Sequence, residues 1–160
     1  MINKILQGDV LARLKDIPDN HVQMVCTSPP YWALRDYGAE GQFGLEPTPE
    51  GYVEKLVEIG QEIKRVLRDD GTFWLNLGDT YWGGGWRGAE LNKRSGDMQK
   101  GHQGSHCGDA MSMGKGAHSL IKPKDMVGIP WRSAFGLQAD GWYLRQDIIW
   151  SKPNPMPESV

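Results

Sequence analysis

The chain has 160 residues, 39% hydrophobic and 24% charged, with a formal net charge of -2; these are the values of one ordinary globular domain and exclude a collagen-like or highly charged disordered chain. No apolar run approaches the roughly 18 residues of a membrane span. The start lacks a signal peptide's apolar stretch, and two cysteines, Cys26 and Cys107, are too few for a disulfide framework, so a cytoplasmic location with no membrane contact is expected. The small negative charge weighs against a wholly basic nucleic-acid binder but not against a locally basic face.

In chain order, Ile2 to Leu6 reads as a short strand ending at Gly8-Asp9. Val10, Leu11 and Leu14 have helical spacing and predict a short helix over Val10 to Lys15, followed by a turn at Pro18-Asp19-Asn20. Val22 to Thr27 reads as a buried strand with Cys26 in the core. It stops at Ser28-Pro29-Pro30, because proline cannot continue a central strand. Thr48-Pro49-Glu50 is a helix start, with a capping hydroxyl, proline at the first position and an acid behind it. Tyr52, Leu56, Ile59, Ile63, Val66 and Leu67 follow at spacings of three and four and read as core packing. Asp69-Asp70-Gly71 is the expected stop, Thr72 to Leu77 the next strand, and Gly78-Asp79 its end.

Gly83 to His118 changes character, with ten glycines and almost no aliphatic residues, and is expected to be a long flexible loop. No Gly-Lys-Ser/Thr follows Gly83 to Gly85, so a phosphate loop is not implied. His102, His106, Cys107, Asp109 and His118 match no zinc spacing, and no metal site is expected. The loop is net positive; it could follow DNA phosphates or be simply solvated. Structure resumes at Lys122-Pro123-Lys124-Asp125. Pro130 to Ala139 then reads as a helix stopped by Asp140-Gly141, and Trp142 to Trp150 as an aromatic, β-branched strand. Trp131, Trp142 and Trp150 are expected to be mostly buried. Lys152 to Pro157 is a proline-rich exit.

Alternating strands and helices predict an α/β fold with a largely parallel sheet and helices on both faces. Ligands of such sheets sit at the carboxyl ends of the strands, which brings Asp9, Ser28 to Trp32 and Gly78 to Trp82 to one edge. There, Thr27-Ser28-Pro29-Pro30-Tyr31-Trp32 carries the chemistry. The prolines offer carbonyls without N–H groups, and Ser28 adds a hydroxyl. An exocyclic amine has two hydrogens, one for Ser28 Oγ and one for the Pro29 carbonyl. Tyr31 can stack on the base, and a base reaches such a site only if flipped from the duplex.

This segment resembles the catalytic motif of the amino-methylating DNA methyltransferases, an Asp, Asn or Ser followed by Pro-Pro and an aromatic residue. Further blocks are similar to that family: Gly8-Asp9, Val66 to Thr72, Leu77 to Tyr81, Lys122 to Asp125, Ile129 to Trp131, Gly141 to Arg145, and Ile148 to Ser159. They cover nearly all of the chain outside Gly83 to His118.

The resemblance implies a Rossmann-like S-adenosylmethionine-dependent methyltransferase sheet. Only 27 residues precede Ser28 and they hold no Gly-x-Gly. That fits the permuted beta group, in which the catalytic motif precedes the cofactor loop. The expectation is therefore an apparently incomplete enzyme: residues 1–160 as the catalytic part, 83–118 as a loop within it, and a complementing C-terminal fragment elsewhere. The implied catalytic residues are Ser28, Pro29, Pro30 and Tyr31. Asp9, Thr27 and Ser28 would meet S-adenosyl-L-methionine, and Trp32, Lys152 and Asn154 would meet double-stranded DNA. The Ser form of the motif favours cytosine N4, with adenine N6 the alternative, in a restriction-modification setting. Methylation of a protein glutamine amide fits the motif order less well, and a non-catalytic DNA-binding or assembly fragment is a rival of another class.

Overall fold

The structure, a computed structural model, describes residues 3–82 and 118–154. Its order is helix, strand, helix, strand, helix: α1 (Val10–Leu14), β1 (Val22–Thr27), α2 (Pro49–Val66), β2 (Leu67–Leu75) and α3 (Ile129–Ala139). The two strands form a small parallel sheet. Parallel strands cannot be joined by a tight turn, so α2 serves as the crossover.

The sequence signals at α2 act as expected. Thr48 Oγ accepts the Gly51 amide at 3.1 Å, and Pro49 lies in the first turn, where a missing N–H costs nothing. Tyr52, Leu56, Gly60, Ile63 and Val66 line its buried stripe. Tyr52 and Leu56 join Trp32, Trp82, Ile121, Val127 and Ile129 in the main core.

Two helix ends are tied by distant side chains. The guanidinium of Arg65 on α2 donates to Leu14 O at 2.9 Å, which also accepts the Ile17 amide, and to Ile17 O at 3.1 Å in the turn after α1. Asp19 and Glu62 hold the same guanidinium in place. Asp79, just after β2, does the converse for α3. Its carboxylate accepts the Gly128 amide at 2.9 Å and the Ile129 amide at 3.0 Å, a negative charge on the helix's amino end. Antiparallel bonds between 80–82 and 124–127, such as Val127 N to Thr80 O at 2.8 Å, close the neck there.

Several expectations are corrected. β2 starts at Leu67, directly after the helix, and runs through Asp69-Asp70-Gly71. Val22 pairs with Leu67 but Met24 with Thr72, so the acidic triplet is a bulge between paired ends rather than a helix stop. Residues 3–6 form no strand, and Ile5 is almost fully exposed. The 142–150 segment forms no strand either. Tyr143, Ile148, Ile149 and Trp150 are exposed, and Trp131 is half-exposed; only Trp142 is partly covered, 5.3 Å from Phe73. Cys26 is exposed, and β1 alternates rather than being buried throughout, with Met24 and, on β2, Trp74 open to solvent. A strand forms where a neighbour takes up its N–H and C=O groups. Among the described residues β1 and β2 pair only with each other.

The expected loop is described only at its last residue, His118; 83–117 lie outside the described residues. The His118 ring stands edge-on to Trp82 at 5.0 Å, its Nε2 lies 3.3 Å from Glu50, and its Nδ1 accepts the Leu120 and Ile121 amides. Among the described residues no helix is long and apolar enough to cross a membrane.

Asp79→Ala would leave the part-buried amides of Gly128 and Ile129 without their acceptor. We expect a loss of about 1–2 kcal/mol of stability, read as a lower urea midpoint at unchanged slope. An unchanged midpoint would remove Asp79 from the account of α3.

Candidate active site

β1 delivers Ser28 to its carboxyl end, and the Asn76 amide extends the strand pairing to Thr27 O at 2.9 Å. Beyond it, Ser28, Pro29, Pro30 and Tyr31, together with Leu34, Arg35 and Tyr37, line a cavity of about 310 Å³. That volume lies at the low end for small-ligand sites. The lining mixes hydroxyls, proline carbonyls, an aliphatic chain, two phenols and a guanidinium.

The Ser28 hydroxyl donates to Tyr31 Oη at 3.1 Å. A serine hydroxyl has two acceptor lone pairs besides its proton, so Ser28 Oγ can accept a further hydrogen bond from the cleft. The Tyr31 ring lies against Gly78, in the segment that follows β2: a β-carbon there would come within 2.7 Å of two ring carbons. Gly44 closes the back of the turn. A side chain there would meet Pro30 and the Tyr31 carbonyl at 3.1 Å, and its φ of 97° is one that only glycine adopts without strain. The turn is fastened further by Ala33 N to Gly44 O at 2.8 Å and by the Trp32 indole N–H to Glu46 O at 2.8 Å.

Tyr52 reaches this turn from α2. Its ring is fully buried and stacks on Phe43 at 4.5 Å between centroids, and its hydroxyl donates to Pro30 O at 3.0 Å. Burial pushes the phenol far above its ordinary pKa, helped by Glu46 and Tyr31, so it stays protonated and a donor.

Of the residues singled out from sequence, Ser28, Pro29, Pro30 and Tyr31 come together in the cavity wall. Trp32 does not join them. It is buried in the core and stacked on Trp82 at 6.1 Å, because its indole N–H finds a backbone acceptor there. Thr27 is half-buried opposite Leu75, and Lys152 and Asn154 are exposed. Asp9 caps α1 by accepting the Ala12 amide at 3.0 Å with Oδ1. Its other oxygen accepts no hydrogen bond among the described residues. That chemistry fits a donor at the adenosyl end of S-adenosylmethionine, whereas the described residues hold no glycine-rich turn for the methionine end.

Sequence reasoning passed over Arg35, Tyr37 and Gly44, placed Gly78 only at the ligand edge of the sheet, and gave Tyr52 no part in the site. Tyr52 carried only a core signal, since nothing local tells a buried phenol from a phenylalanine. Among the described residues no group of three or more His, Cys, Asp or Glu could hold a metal. His102, His106, Cys107 and Asp109 lie outside those residues.

Comparison with known proteins agrees with this geometry. A family model described as DNA methylase matches residues 22–160. The Type II methyltransferase M.XycI of Xanthomonas campestris pv. cyanopsidis is 49% identical over 156 residues, covering 98% of this chain and 48% of its own. M.Cfr9I of Citrobacter freundii is 47% identical with the same coverage, and M.SmaI of Serratia marcescens is 46% identical over 98% of this chain and 50% of its own. The chain thus spans about half the length of the curated relatives it matches. No solved structure matches it. With a cleft built on Ser28-Pro29-Pro30-Tyr31 and a family match that runs from β1 to the last residue, this chain belongs to the N6/N4 DNA methylase family.

Proposed function

We propose that the chain is the catalytic part of a site-specific DNA methyltransferase that acts on the exocyclic N4 of a cytosine flipped out of double-stranded DNA. One observation carries this reading: Ser28 Oγ, hydrogen-bonded to Tyr31 Oη at 3.1 Å, lines the same cleft as Pro29, so a hydroxyl oxygen and a proline carbonyl are available to one entering amine. An amino group then gives one hydrogen to Ser28 Oγ and the other to the Pro29 carbonyl. Both bonds draw the nitrogen from planar toward tetrahedral and free its lone pair. S-adenosylmethionine, when bound, supplies the methyl carbon, to which that lone pair bonds as the carbon–sulfur bond breaks. The methylated amine is acidic and releases its proton to water, so no strong base among the side chains is required. Tyr31 holds the base by stacking and Asp9 supports the adenosyl group. Lys152 and Asn154 face the DNA.

In this reading the two strands are part of a Rossmann-like sheet of permuted order, completed by a C-terminal polypeptide. Three features support it: the relatives' double length, the edges of β1 and β2 that no strand covers among the described residues, and the exposed apolar groups Met24, Trp74, Ile148 and Ile149. A cytoplasmic restriction-modification setting fits relatives called Type II methyltransferases.

Two outcomes are expected. The chain, co-expressed with the C-terminal half of the Serratia marcescens relative, should place N4-methylcytosine in host DNA, measured by nucleoside mass spectrometry. Ser28→Ala should lower the rate on the order of 10²-fold, as for other groups that meet developing charge. Methyladenine in its place would reassign the base; no methylated base at all would sink the reading. The chain alone should bind S-adenosylmethionine weakly or not at all, because Asp9 supplies a single polar contact worth about 1 kcal/mol. Micromolar binding by calorimetry, together with methyl transfer by this chain alone, would show that the described site is complete.

A further inference from the structure

We infer that Tyr52 is a positioning residue that decides which proline carbonyl of the tetrad meets the target amine. This rests on the methyltransferase reading above. Pro29 and Pro30 both offer carbonyls, and neither neighbouring proline nitrogen carries a hydrogen to distinguish them. The structure does distinguish them. Pro30 O accepts the Tyr52 hydroxyl at 3.0 Å, and Tyr52 has no solvent-exposed surface, so that carbonyl is directed into the core. Pro29 O accepts no hydrogen bond among the described residues, and Pro29 lines the cleft.

The two facts are linked through the backbone. Pro29 precedes a proline and is confined to extended conformations, in which successive carbonyls diverge. Drawing the Pro30 carbonyl inward therefore turns the Pro29 carbonyl outward, toward the side on which Ser28 presents its oxygen. Gly44 permits this arrangement, since Pro30 O and Tyr31 O lie 3.2 and 3.1 Å from where a β-carbon would stand there. The rest of Tyr52 is core, stacked on Phe43, so the phenylalanine variant keeps the packing and removes only the donor.

Tyr52→Phe tests this, with Leu56→Ala as a control from the same buried stripe. In the isotope-labelled chain, the Pro30 carbonyl resonance, read through the Tyr31 amide, should shift upfield in Tyr52→Phe and stay in place in Leu56→Ala. In the DNA-methylating assembly, Tyr52→Phe should lower kcat about tenfold, one neutral hydrogen bond's worth, with the KM for S-adenosylmethionine unchanged. Leu56→Ala should lower stability and leave kcat alone. Should Tyr52→Phe not fold, the wild-type chain decides: a Tyr52 hydroxyl proton protected from solvent exchange supports the bond, and rapid exchange overturns it. An unmoved Pro30 carbonyl, or a kcat no lower than that of Leu56→Ala, also overturns the inference. If the wild-type assembly transfers no methyl group, the proposed function falls, and the carbonyl shift still decides whether Tyr52 holds Pro30.

Discussion

Parallel pairing of β1 with β2 obliges the chain to leave the sheet, cross its face and return, and the crossover helix must bury one stripe to stay there. That stripe runs from Tyr52 to Val66. Burying a side chain such as Leu56 or Ile63 stabilises by about 1.5–3 kcal/mol, whereas a single hydrogen bond nets about 1 kcal/mol. Apolar burial therefore holds α2 in place, and polar groups use the position it fixes. Tyr52 occurs at the amino end of the stripe, where the helix passes the turn that leaves β1. The turn borrows its rigidity from a helix that the sheet needed for other reasons.

The same economy recurs at the helix ends. Arg65 adds hydrogen bonds to the carbonyls at and just past the end of α1, and Asp79 answers open amides at the start of α3. Each sits on a segment already fixed by sheet or core, so little ordering entropy remains to be lost when the bonds form. Gly78, the neighbour of Asp79, carries the Tyr31 ring. The dipeptide that follows β2 therefore joins the support of α3 to the geometry of the Ser28–Tyr31 turn.

Much of this was legible in the sequence where the signal is local. Thr48-Pro49-Glu50 announces α2, the spacing of Tyr52, Leu56, Ile63 and Val66 announces its face, and Ser28-Pro29-Pro30-Tyr31 announces a rigid turn at a strand end. What failed depended on distant partners. Asp69-Asp70-Gly71 looks like a helix stop, but the register between Val22 and Met24 absorbs it as a bulge. Trp142 to Trp150 and Cys26 have the composition of buried strands, yet burial needs a neighbour that the described sheet does not provide. Trp32 was legible as an aromatic beside the motif; the backbone acceptor at Glu46, fourteen residues away, is what draws it inward.

The cleft is consequently lined by unlike parts. The turn from Ser28 to Tyr31 is pinned by Tyr52, Gly44 and Gly78, so its acceptors are in place before anything enters. The other lining residues, Leu34, Arg35 and Tyr37, are all exposed. For the amine methylation proposed above, that division is useful. The groups that distort the nitrogen gain most when they cannot relax toward a planar ground state, since only preorganised acceptors favour the transition state over the substrate. The groups that admit a flat base and its trailing backbone gain from freedom to adjust. In that proposal rigidity sits where the charge changes, and the exposed side chains of Arg35 and Tyr37 stay free to adjust to the entering base.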